Sequence, residues 1–228
     1  MYFCPVRRGC EREKEGTDMK IIRKIKEVGP GNVLIGGIRR IRYKKLYRKY
    51  HFDSWHLSPY EWKAYAQACV NYVNAHDCQT VVDIGCGLGG VLQHCRAPEK
   101  IGIDLHEEVI LAARELSGGA VTYRTGSFDA LTEKPVDYLI TLNFMHGGTE
   151  DTWRKPYHTA AERNDVRHFI VDTVPAEGGS HFLDWSRILP DHYKRIERFG
   201  PFLGGRYVEV WEKQTGMESA GDGSGKRE

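Results

Sequence analysis

The feature that most constrains this chain is a run of β-branched residues that ends in a cluster of glycines. The segment 80–84, TVVDI, has the composition of a short buried strand, and glycine occupies four of the next six positions, 85–90. Glycine lets the backbone adopt positive φ values and approach a ligand closely, and such a turn exposes main-chain N–H groups that suit a polar or anionic ligand. We predict a strand, a ligand-binding turn and then a helix over residues 90–95.

Further strand candidates alternate with helical patterns along the chain. They lie at 101–105, 121–126, 136–143, 167–174 and 206–213, and the clearest helical segment is 107–117. Another helix is predicted from Ser58 onward, because Pro59 fits the first turn after a Ser58 cap. This alternation predicts an α/β fold with a mostly parallel sheet that is covered on both faces.

Two acidic residues mark the ends of the first two predicted strands. Asp83 lies inside the end of the first strand, where an isolated carboxylate is costly unless it has a partner or a function. Asp104 ends the second strand 21 residues later, at the spacing where an acid meets ribose hydroxyls in doubly wound folds. A glycine turn alone is a weak signal, but with both acids it predicts a ligand that contains a ribose.

These residues carry a family resemblance. VVDIGCGLGG followed by IGIDL resembles the first two motifs of class I S-adenosylmethionine-dependent methyltransferases. GSFDAL at 126–131 fits the third motif, and VDYLITLNFMH at 136–146 fits the fourth. The resemblance covers roughly residues 58–213. It implies a Rossmann-like, doubly wound α/β fold with a seven-stranded, mostly parallel sheet, in which 192–199 and 206–213 match the terminal antiparallel hairpin.

The resemblance also implies the cofactor, S-adenosyl-L-methionine, and assigns residues to it. These are Asp83, Gly85, Cys86, Gly87, Asp104, Leu105, Ser127, Phe128 and Asn143. Asp83 would sit near the amino group of the cofactor, and Asp104 would hold the ribose hydroxyls. Ser127 and Phe128 would flank the adenine, and Asn143 would close the site beside the sulfonium. Several relatives carry an acid where Ser127 stands, so the nearby carboxylate at position 129 is an alternative contact.

A nicotinamide-dependent dehydrogenase is the competing interpretation of the same turn. Gly85, Gly87 and Gly90 occupy the positions of the three glycines in a dinucleotide-binding fingerprint. The acid inside the first strand, the segment NFMH at 143–146 and the antiparallel-looking end of the chain favour the methyltransferase.

Methyl transfer from a sulfonium is an in-line displacement, and a hydroxyl acceptor also needs a base that removes its proton. His146, three residues beyond Asn143, is the candidate general base because imidazole titrates near neutrality; the alternative is that it caps a loop. Trp55, His56 and Tyr60 precede the first helix of the body, where this fold often places a lid. We predict that they bind substrate, and the alternative is a hydrophobic staple beneath that helix.

The fourth motif restricts the chemical class of methyl acceptor that we expect. Nucleic-acid amino methyltransferases usually carry an Asn/Asp-Pro-Pro-aromatic run where this chain has NFMH at 143–146, so methylation of base nitrogens is not expected. Asp137 and Asp172 complete no set of three metal ligands, and the six cysteines include no CxxC pair. We therefore expect metal-independent chemistry.

Charge is distributed unevenly along the chain. The formal net charge is +2, yet residues 19–50 contain eleven Lys/Arg and a single acid, and residues 51–228 carry a net −8. After the break Gly-Pro-Gly at 29–31, apolar residues recur among these bases at helical spacing; they are Ile38, Ile41, Tyr43, Leu46 and Tyr47. Such an arm either lies on anionic lipid or packs its apolar stripe on the body. It could also contact RNA phosphates, with steep salt dependence.

The basic arm, WHLSPYEW at 55–62 and NFMH together resemble methyltransferases encoded with bacterial capsule or lipopolysaccharide genes. This resemblance implies O-methylation of a sugar or a sugar-linked group, with a carbohydrate or nucleotide-sugar acceptor, at the cytoplasmic face of the inner membrane. Nucleic acid is the less expected partner. Two alternatives stay open: an RNA-binding methyltransferase that uses the arm, and a non-catalytic methyltransferase-like assembly protein.

The domain organisation that follows has four parts. Residues 1–18 form a polar lead-in, 19–57 a basic amphipathic arm, 58–213 the methyltransferase domain, and 214–228 a disordered tail without apolar periodicity. No run approaches the roughly 18–20 apolar residues of a membrane span, and residues 1–18 lack the apolar core of a secretory signal. We expect a cytoplasmic protein.

Overall fold

The computed structural model describes residues 7–144, 148–173 and 183–214, with side chains described from residue 22 onward. The strands are β1 (Thr80–Ile84), β2 (Glu99–Asp104), β3 (Thr122–Thr125), β4 (Tyr138–Thr141), β5 (His168–Thr173), β6 (Tyr193–Phe202) and β7 (Arg206–Lys213). The helices are α1 (Arg7–Tyr50), α2 (Ala64–Asn74), α3 (Glu107–Ser117), α4 (Glu150–Arg163) and α5 (Trp185–Ile188). Short 3₁₀ turns lie at Ser54–Leu57, Tyr60–Trp62 and Phe128–Ala130.

The strands form one sheet in the order β3-β2-β1-β4-β5-β7-β6. The first five strands in this order pair in parallel, and β7 runs antiparallel between β5 and β6. The predicted seven-stranded, mostly parallel sheet with a terminal antiparallel hairpin is confirmed. Because β1 lies between β2 and β4, the winding reverses beside it, and doubly wound sheets open a crevice at this point beyond the carboxyl ends of the strands.

Helices cover both faces of the sheet, so the central strands β1, β4 and β5 are buried on each side. Val81 and Ile140 belong to the core beneath α2 and α3, while Val82 and Leu139 belong to the core beneath α4 and α5. Successive strand residues point to opposite faces. Asp83 therefore projects to the same face as Val81, towards the beginning of α2.

The predicted helix over 90–95 is wrong. Residues 87–94 form consecutive turns, in which the Gly89 N–H donates to the Cys86 carbonyl and the Gln93 N–H donates to the Gly89 carbonyl. Glycine is a poor helix former, and Pro98 lacks the N–H that a continuing helix would use. The glycines at one end and Pro98 at the other therefore disfavour a regular helix in this segment.

The helix predicted from Ser58 begins later, at Ala64. Trp62 turns away from the helix axis to reach α1, where its Nε1–H donates to the Val33 carbonyl at 3.1 Å. Lys63 has the non-helical angles φ −119° and ψ 83°, which separate this turn from α2. A contact between distant segments thus overrides the local capping signal.

The arm forms α1, which consists of two helical parts joined at Gly29, with φ 81° and ψ 156°. The interruption predicted at 29–31 is confirmed. The helix begins at Arg7, so the predicted boundary between 18 and 19 is not a break in secondary structure. The predicted tail lies outside the described residues except for Gln214.

The apolar stripe of α1 divides between two faces. Tyr43 and Leu46 are only 2% and 4% exposed and pack with Val109 and Ala112 of α3, whereas Ile38 and Ile41 are 64% and 61% exposed. One apolar face of α1 therefore packs on the body of the protein, and a second apolar face is exposed to solvent. None of the helices in the described part of the chain combines the length and the apolar character that a membrane span requires.

Because these side chains differ in exposure, two aliphatic truncations on α1 should lower the free energy of unfolding by different amounts. Leu46→Ala should lower the free energy of unfolding by about 2–4 kcal/mol, because it opens a cavity between α1 and α3. Ile41→Ala should change it by no more than about 0.5 kcal/mol, since that side chain stays in solvent. Chemical denaturation measures both values. Equal effects would mean that α1 is not docked in this way.

Candidate active site

The glycine turn after β1 is fastened to β2 by three hydrogen bonds. The N–H groups of Gly85 and Cys86 both donate to the Ile103 carbonyl, at 2.8 and 3.0 Å. The Gly87 N–H donates to Oδ2 of Asp104 at 2.9 Å. Gly85 and Gly87 have φ values of +77° and +54°, which favour glycine. The acid that ends β2 and the turn that ends β1 therefore form one rigid unit.

Aromatic side chains approach this turn closely. A Cβ at Gly85 would lie 2.5 Å from Cδ2 of Phe144, and a Cβ at Gly87 would lie 3.0 Å from Nδ1 of His56. Burial lowers the pKa of His56, while the nearby Asp104 opposes this shift. His56 is therefore a neutral imidazole at pH 7, held against the turn by the segment that precedes α2.

A cavity beside the turn is lined by one acid and one base. Asp83 and Lys63 both line it, together with the glycine turn, Tyr60 and Asn143. Asp83 is 3% exposed, and no described residue donates a hydrogen bond to its carboxylate. Burial, with a smaller contribution from Asp104, raises its pKa to about 8. Burial lowers the pKa of Lys63 to about 8, with Asp83 opposing the shift.

A larger cleft of about 920 Å³ continues from this cavity. Trp55, His56, Gly85 and Asn143 line both spaces. The other residues that line the cleft include Lys24, Arg40, Trp62, Asp104, Leu105, Phe144 and Trp153. One wall thus belongs to α1, and the opposite wall lies at the carboxyl ends of β1, β2 and β4.

Asn143 is fixed by hydrogen bonds with residues of β5 and β7. Its main-chain N–H donates to Oδ1 of Asp172 at 3.1 Å, and its Oδ1 accepts a hydrogen bond from Nη2 of Arg206 at 2.8 Å. The Arg206 guanidinium also pairs with Asp172 and lies 4.4 Å from the Tyr65 ring centroid. Asn143 has φ +55°, a conformation that Asn tolerates better than most residues. The side chain is therefore fixed at the mouth of the site by β5 and β7.

The two acids considered as metal ligands have other partners. Asp172 pairs with Arg206, and Asp137 lies at the opposite end of β4, where its Oδ2 accepts the N–H groups of Gln79 and Thr80 at 2.7 and 3.0 Å. Across the described ranges, His, Cys, Asp and Glu form no group of three or more that could hold a metal ion.

The structure gathers most of the sequence-predicted residues around the two connected spaces. They are Asp83, Gly85, Cys86, Gly87, Asp104, Leu105, Asn143, Trp55, His56 and Tyr60. Tyr60 lines only the smaller cavity, where its ring stacks on His94 with centroids 3.9 Å apart. It therefore packs beside the turn, and its contact with a substrate stays a prediction.

Three predicted residues are not placed in either lining. The Ser127 N–H donates to Oδ1 of Asp129 at 2.9 Å, and the Phe128 ring packs on Phe144, centroids 6.1 Å apart. Their contact with an adenine stays a prediction. His146, the candidate general base, lies outside the described residues, three positions beyond Asn143.

Sequence reasoning missed Lys63 and the α1 residues of the cleft. Lys63 is the only Lys or Arg between Lys49 and Arg96, and this isolation in an aromatic stretch was a usable signal. Lys24 and Arg40 could not be separated from the other bases of the arm, because only the folded packing of α1 shows which ones face the cleft.

Solved structures were compared with this chain. The magnesium protoporphyrin IX methyltransferase ChlM from Synechocystis PCC 6803, with bound SAH, gives a TM-score of 0.57 at 14% identity, over 80% of this chain and 99% of that one. The N-methyltransferase NodS from Bradyrhizobium japonicum WM9, in complex with S-adenosyl-L-homocysteine, gives 0.58 at 14%, over 76% and 98%. The small RNA methyltransferase HEN1 gives 0.54 at 16%, over 66% and 25%.

This chain has the fold of class I methyltransferases. No protein-family model matches the sequence, and no curated protein sequence matches it. The first two of these neighbours were crystallised with SAH, the product of the methyl donor. At such low identity, the structural likeness shows the methyltransferase fold alone. The acceptor has to be inferred from the site of this chain.

The buried acid predicts a distinctive pH dependence of stability. The raised pKa of Asp83 means that the fold favours its neutral form, so its contribution is fully present below pH 3.8 and is lost as pH rises towards about 8. Asp83→Asn should therefore leave stability at pH 4 nearly unchanged and raise it by about 1–3 kcal/mol at pH 8. Denaturation at several pH values measures this difference.

The matched control is Asp77→Asn, which replaces an exposed acid just before the same strand. It should show the same stability as the unaltered protein at both pH values. A stabilisation by Asp83→Asn that does not change between pH 4 and pH 8 would contradict the assigned environment of Asp83.

Proposed function

We propose that this chain is an S-adenosylmethionine-dependent methyltransferase that methylates a hydroxyl oxygen of a sugar or sugar-linked group, as in a bacterial cell-surface glycan. The observation that carries the proposal is the Asp83 carboxylate. It is buried, it accepts no hydrogen bond from any residue that the structure describes, and it lines a cavity beside a glycine turn that is fastened to a second acid, Asp104. A buried carboxylate of this kind needs a cationic partner.

The residues of the smaller cavity fit the amino-acid end of the cofactor. Asp83 would pair with the ammonium group, and Lys63 would pair with the carboxylate, so both charges of this zwitterion would be matched. Gly85 and Gly87 allow Phe144 and His56 to lie against the turn, because a Cβ at either position would meet those rings. The fit explains why the cavity contains both a buried acid and a partly buried base.

Asp104 suits the ribose end of the same molecule. One oxygen accepts the Gly87 N–H, and the other accepts the His106 N–H at 3.2 Å. A carboxylate has about four lone-pair sites, so capacity remains for hydroxyl donors. Leu105, which is exposed in the cleft, would contact the nucleoside.

The bound cofactor would supply an electrophilic methyl group on a sulfonium. The protein must hold the acceptor oxygen in line and take up its proton as the new carbon–oxygen bond forms and the carbon–sulfur bond breaks. His56 lines both spaces and is neutral at pH 7. It is therefore a second candidate for this role, in addition to the sequence-predicted base His146. Asn143, fixed by Arg206 and Asp172, would close the site.

The walls of the larger cleft favour a carbohydrate. Trp55, Trp62, Trp153 and Phe144 line it, and flat aromatic faces are suitable surfaces for a sugar ring. Asp104, Asn143 and His56 supply polar groups that can orient hydroxyls. This combination of aromatic walls and few polar groups supports an acceptor of moderate size with several hydroxyl groups.

The outer face of α1 supports a place at an anionic lipid surface. Leu34, Ile38 and Ile41 are all more than 60% exposed, and their spacing of four and three residues puts them on one face. Lys45 and Arg48 continue that face by one more turn and are exposed. Apolar side chains followed by cations suit shallow insertion below anionic headgroups.

Cofactor binding is the first prediction of this proposal. Isothermal titration calorimetry with S-adenosylhomocysteine should show binding to the unaltered protein. Asp104→Asn should weaken it by about tenfold to a hundredfold, since a charge-assisted hydrogen bond contributes about 1.5–3 kcal/mol. Lys63→Ala should weaken it as well, whereas Asp77→Asn should not. No binding at millimolar ligand would leave a non-catalytic assembly role.

The base is tested by single histidine replacements after a panel of nucleotide sugars and glycans has been screened with labelled cofactor. We expect that replacing the general base, His146 or His56, by alanine lowers kcat by about 10²–10⁴ and leaves S-adenosylhomocysteine affinity nearly intact. If His56 is the base, kcat should rise with pH through a midpoint below 6.5. Full activity in both variants would exclude histidine catalysis.

Lipid contact is tested by co-sedimentation with vesicles that contain phosphatidylglycerol. Leu34→Glu combined with Ile38→Glu should reduce the bound fraction severalfold, because both changes place acids on the apolar face. Ile196→Glu, at an exposed position on β6, is the matched control and should bind normally. Binding of short RNA through residues 7–50 in the absence of vesicle binding would favour the RNA alternative.

A further inference from the structure

Two cations of α1 converge on one aromatic ring in the larger cleft. Nζ of Lys24 lies 4.1 Å and Cζ of Arg40 lies 5.4 Å from the centroid of Trp62. These cations come from the two parts of α1 on either side of the break at Gly29. The break therefore brings side chains that are sixteen residues apart in sequence to the same end of the cleft.

Trp62 is held firmly enough to organise them. Its Nε1–H donates to the Val33 carbonyl at 3.1 Å, and the ring packs so closely on Gly36 that a Cβ there would lie 2.2 Å from Nε1. Position 36 thus requires glycine for this contact. The indole, the two cations and the cleft form one preorganised unit.

The two cations of this unit, Lys24 and Arg40, are not engaged in ion pairs within the described part of the chain, whereas their neighbour Arg39 pairs with Glu61 at 2.9 Å. The acid of α1 that influences Lys24, Glu27, accepts the Leu203 N–H at 2.7 Å. Partial burial and the charge of Arg40 lower the pKa of Lys24. An anion that enters the cleft beside these two cations would be attracted by both of them.

Resting on the proposed function, we propose that Lys24 and Arg40 bind a phosphate or diphosphate group of the acceptor, with Trp62 positioning both cations. The acceptor is then a phosphorylated sugar, either linked to a nucleotide or carried on a lipid diphosphate, and the hydroxyl to be methylated lies towards Asn143 and Gly85. Arginine and lysine are the usual phosphate ligands, and arginine can bind two oxygens at once.

The first test is calorimetry of the full chain with inorganic pyrophosphate. We expect binding to the unaltered protein and a loss of at least about tenfold in affinity for Lys24→Ala combined with Arg40→Ala, because two charge-assisted contacts disappear. Lys26→Ala combined with Lys44→Ala removes the same charge from exposed positions of the same helix and should bind pyrophosphate normally. Equal affinity in all three proteins would overturn the proposal.

A second measurement separates this proposal from the cofactor site. Both double variants should bind S-adenosylhomocysteine as the unaltered protein does, which also shows that they are folded. If the unaltered protein binds pyrophosphate through Lys24 and Arg40 but does not bind S-adenosylhomocysteine, the methyltransferase function fails and the anion site stands. If it binds S-adenosylhomocysteine but no pyrophosphate, the anion site fails alone.

Competition experiments distinguish the sources of the phosphate. A nucleotide sugar and a polyisoprenyl-diphosphate sugar in micelles should each be compared with the neutral methyl glycoside for displacement of labelled pyrophosphate. Displacement by one of the diphosphate sugars and not by the glycoside supports the proposal and names the source. Displacement by a short single-stranded RNA at lower concentration than any sugar would overturn it.

Discussion

The hydrogen bond from the Gly87 N–H to the Asp104 carboxylate is the constraint on which the candidate site depends. Together with the two bonds that the Ile103 carbonyl accepts, it fixes the turn after β1 against the end of β2. The turn can bend this sharply only because glycine adopts positive φ at 85 and 87. Asp83, the glycine backbone and Asp104 consequently occupy successive positions along one crevice, which a long ligand can contact together.

The same arrangement has an electrostatic cost. Asp83 is buried within the influence of Asp104, and among the described residues it accepts no hydrogen bond and shares its cavity with one Lys or Arg, Lys63. At the other end of the crevice, Lys24 and Arg40 both lie over the ring of Trp62. A fold selected for stability alone would have replaced the buried Asp83, since buried charges cost more than neutral side chains of similar size. Both sets of charges face the connected spaces, which is where a charged ligand would compensate them.

The sequence alone predicted the secondary structure correctly where local signals and burial agree. The segment 107–117 was predicted as a helix and forms α3 with the same bounds, because its apolar period is helical and Gly118 ends it in a left-handed conformation. The succession of strands and helices along the chain followed from pattern, the acids at 83 and 104 from their positions and spacing, and the seven-stranded sheet with its terminal hairpin from the family resemblance. The sequence alone did not predict features that depend on contacts between distant segments. The start of α2 depends on Trp62 reaching Val33, and the division of the α1 stripe depends on which side packs on α3.

Charge assignments show the same limit. The composition identified residues 19–50 as basic, but only the folded chain separates Arg39, which pairs with Glu61, from Arg40, which lines the cleft. It also shows that α1 contributes to three surfaces at once: a buried contact with α3, one wall of the cleft, and an exposed apolar face. The arm is therefore part of the candidate site as well as a candidate surface contact.

The most direct test of the candidate site is a crystal structure of the chain grown with S-adenosylhomocysteine. We expect electron density for the ligand along the crevice, with its amino group at Asp83, its thioether beside Gly85 and Gly87, and its ribose hydroxyls on Asp104. Density elsewhere on the protein, or an ordered ligand-free crevice at saturating concentration, would contradict the proposed cofactor site.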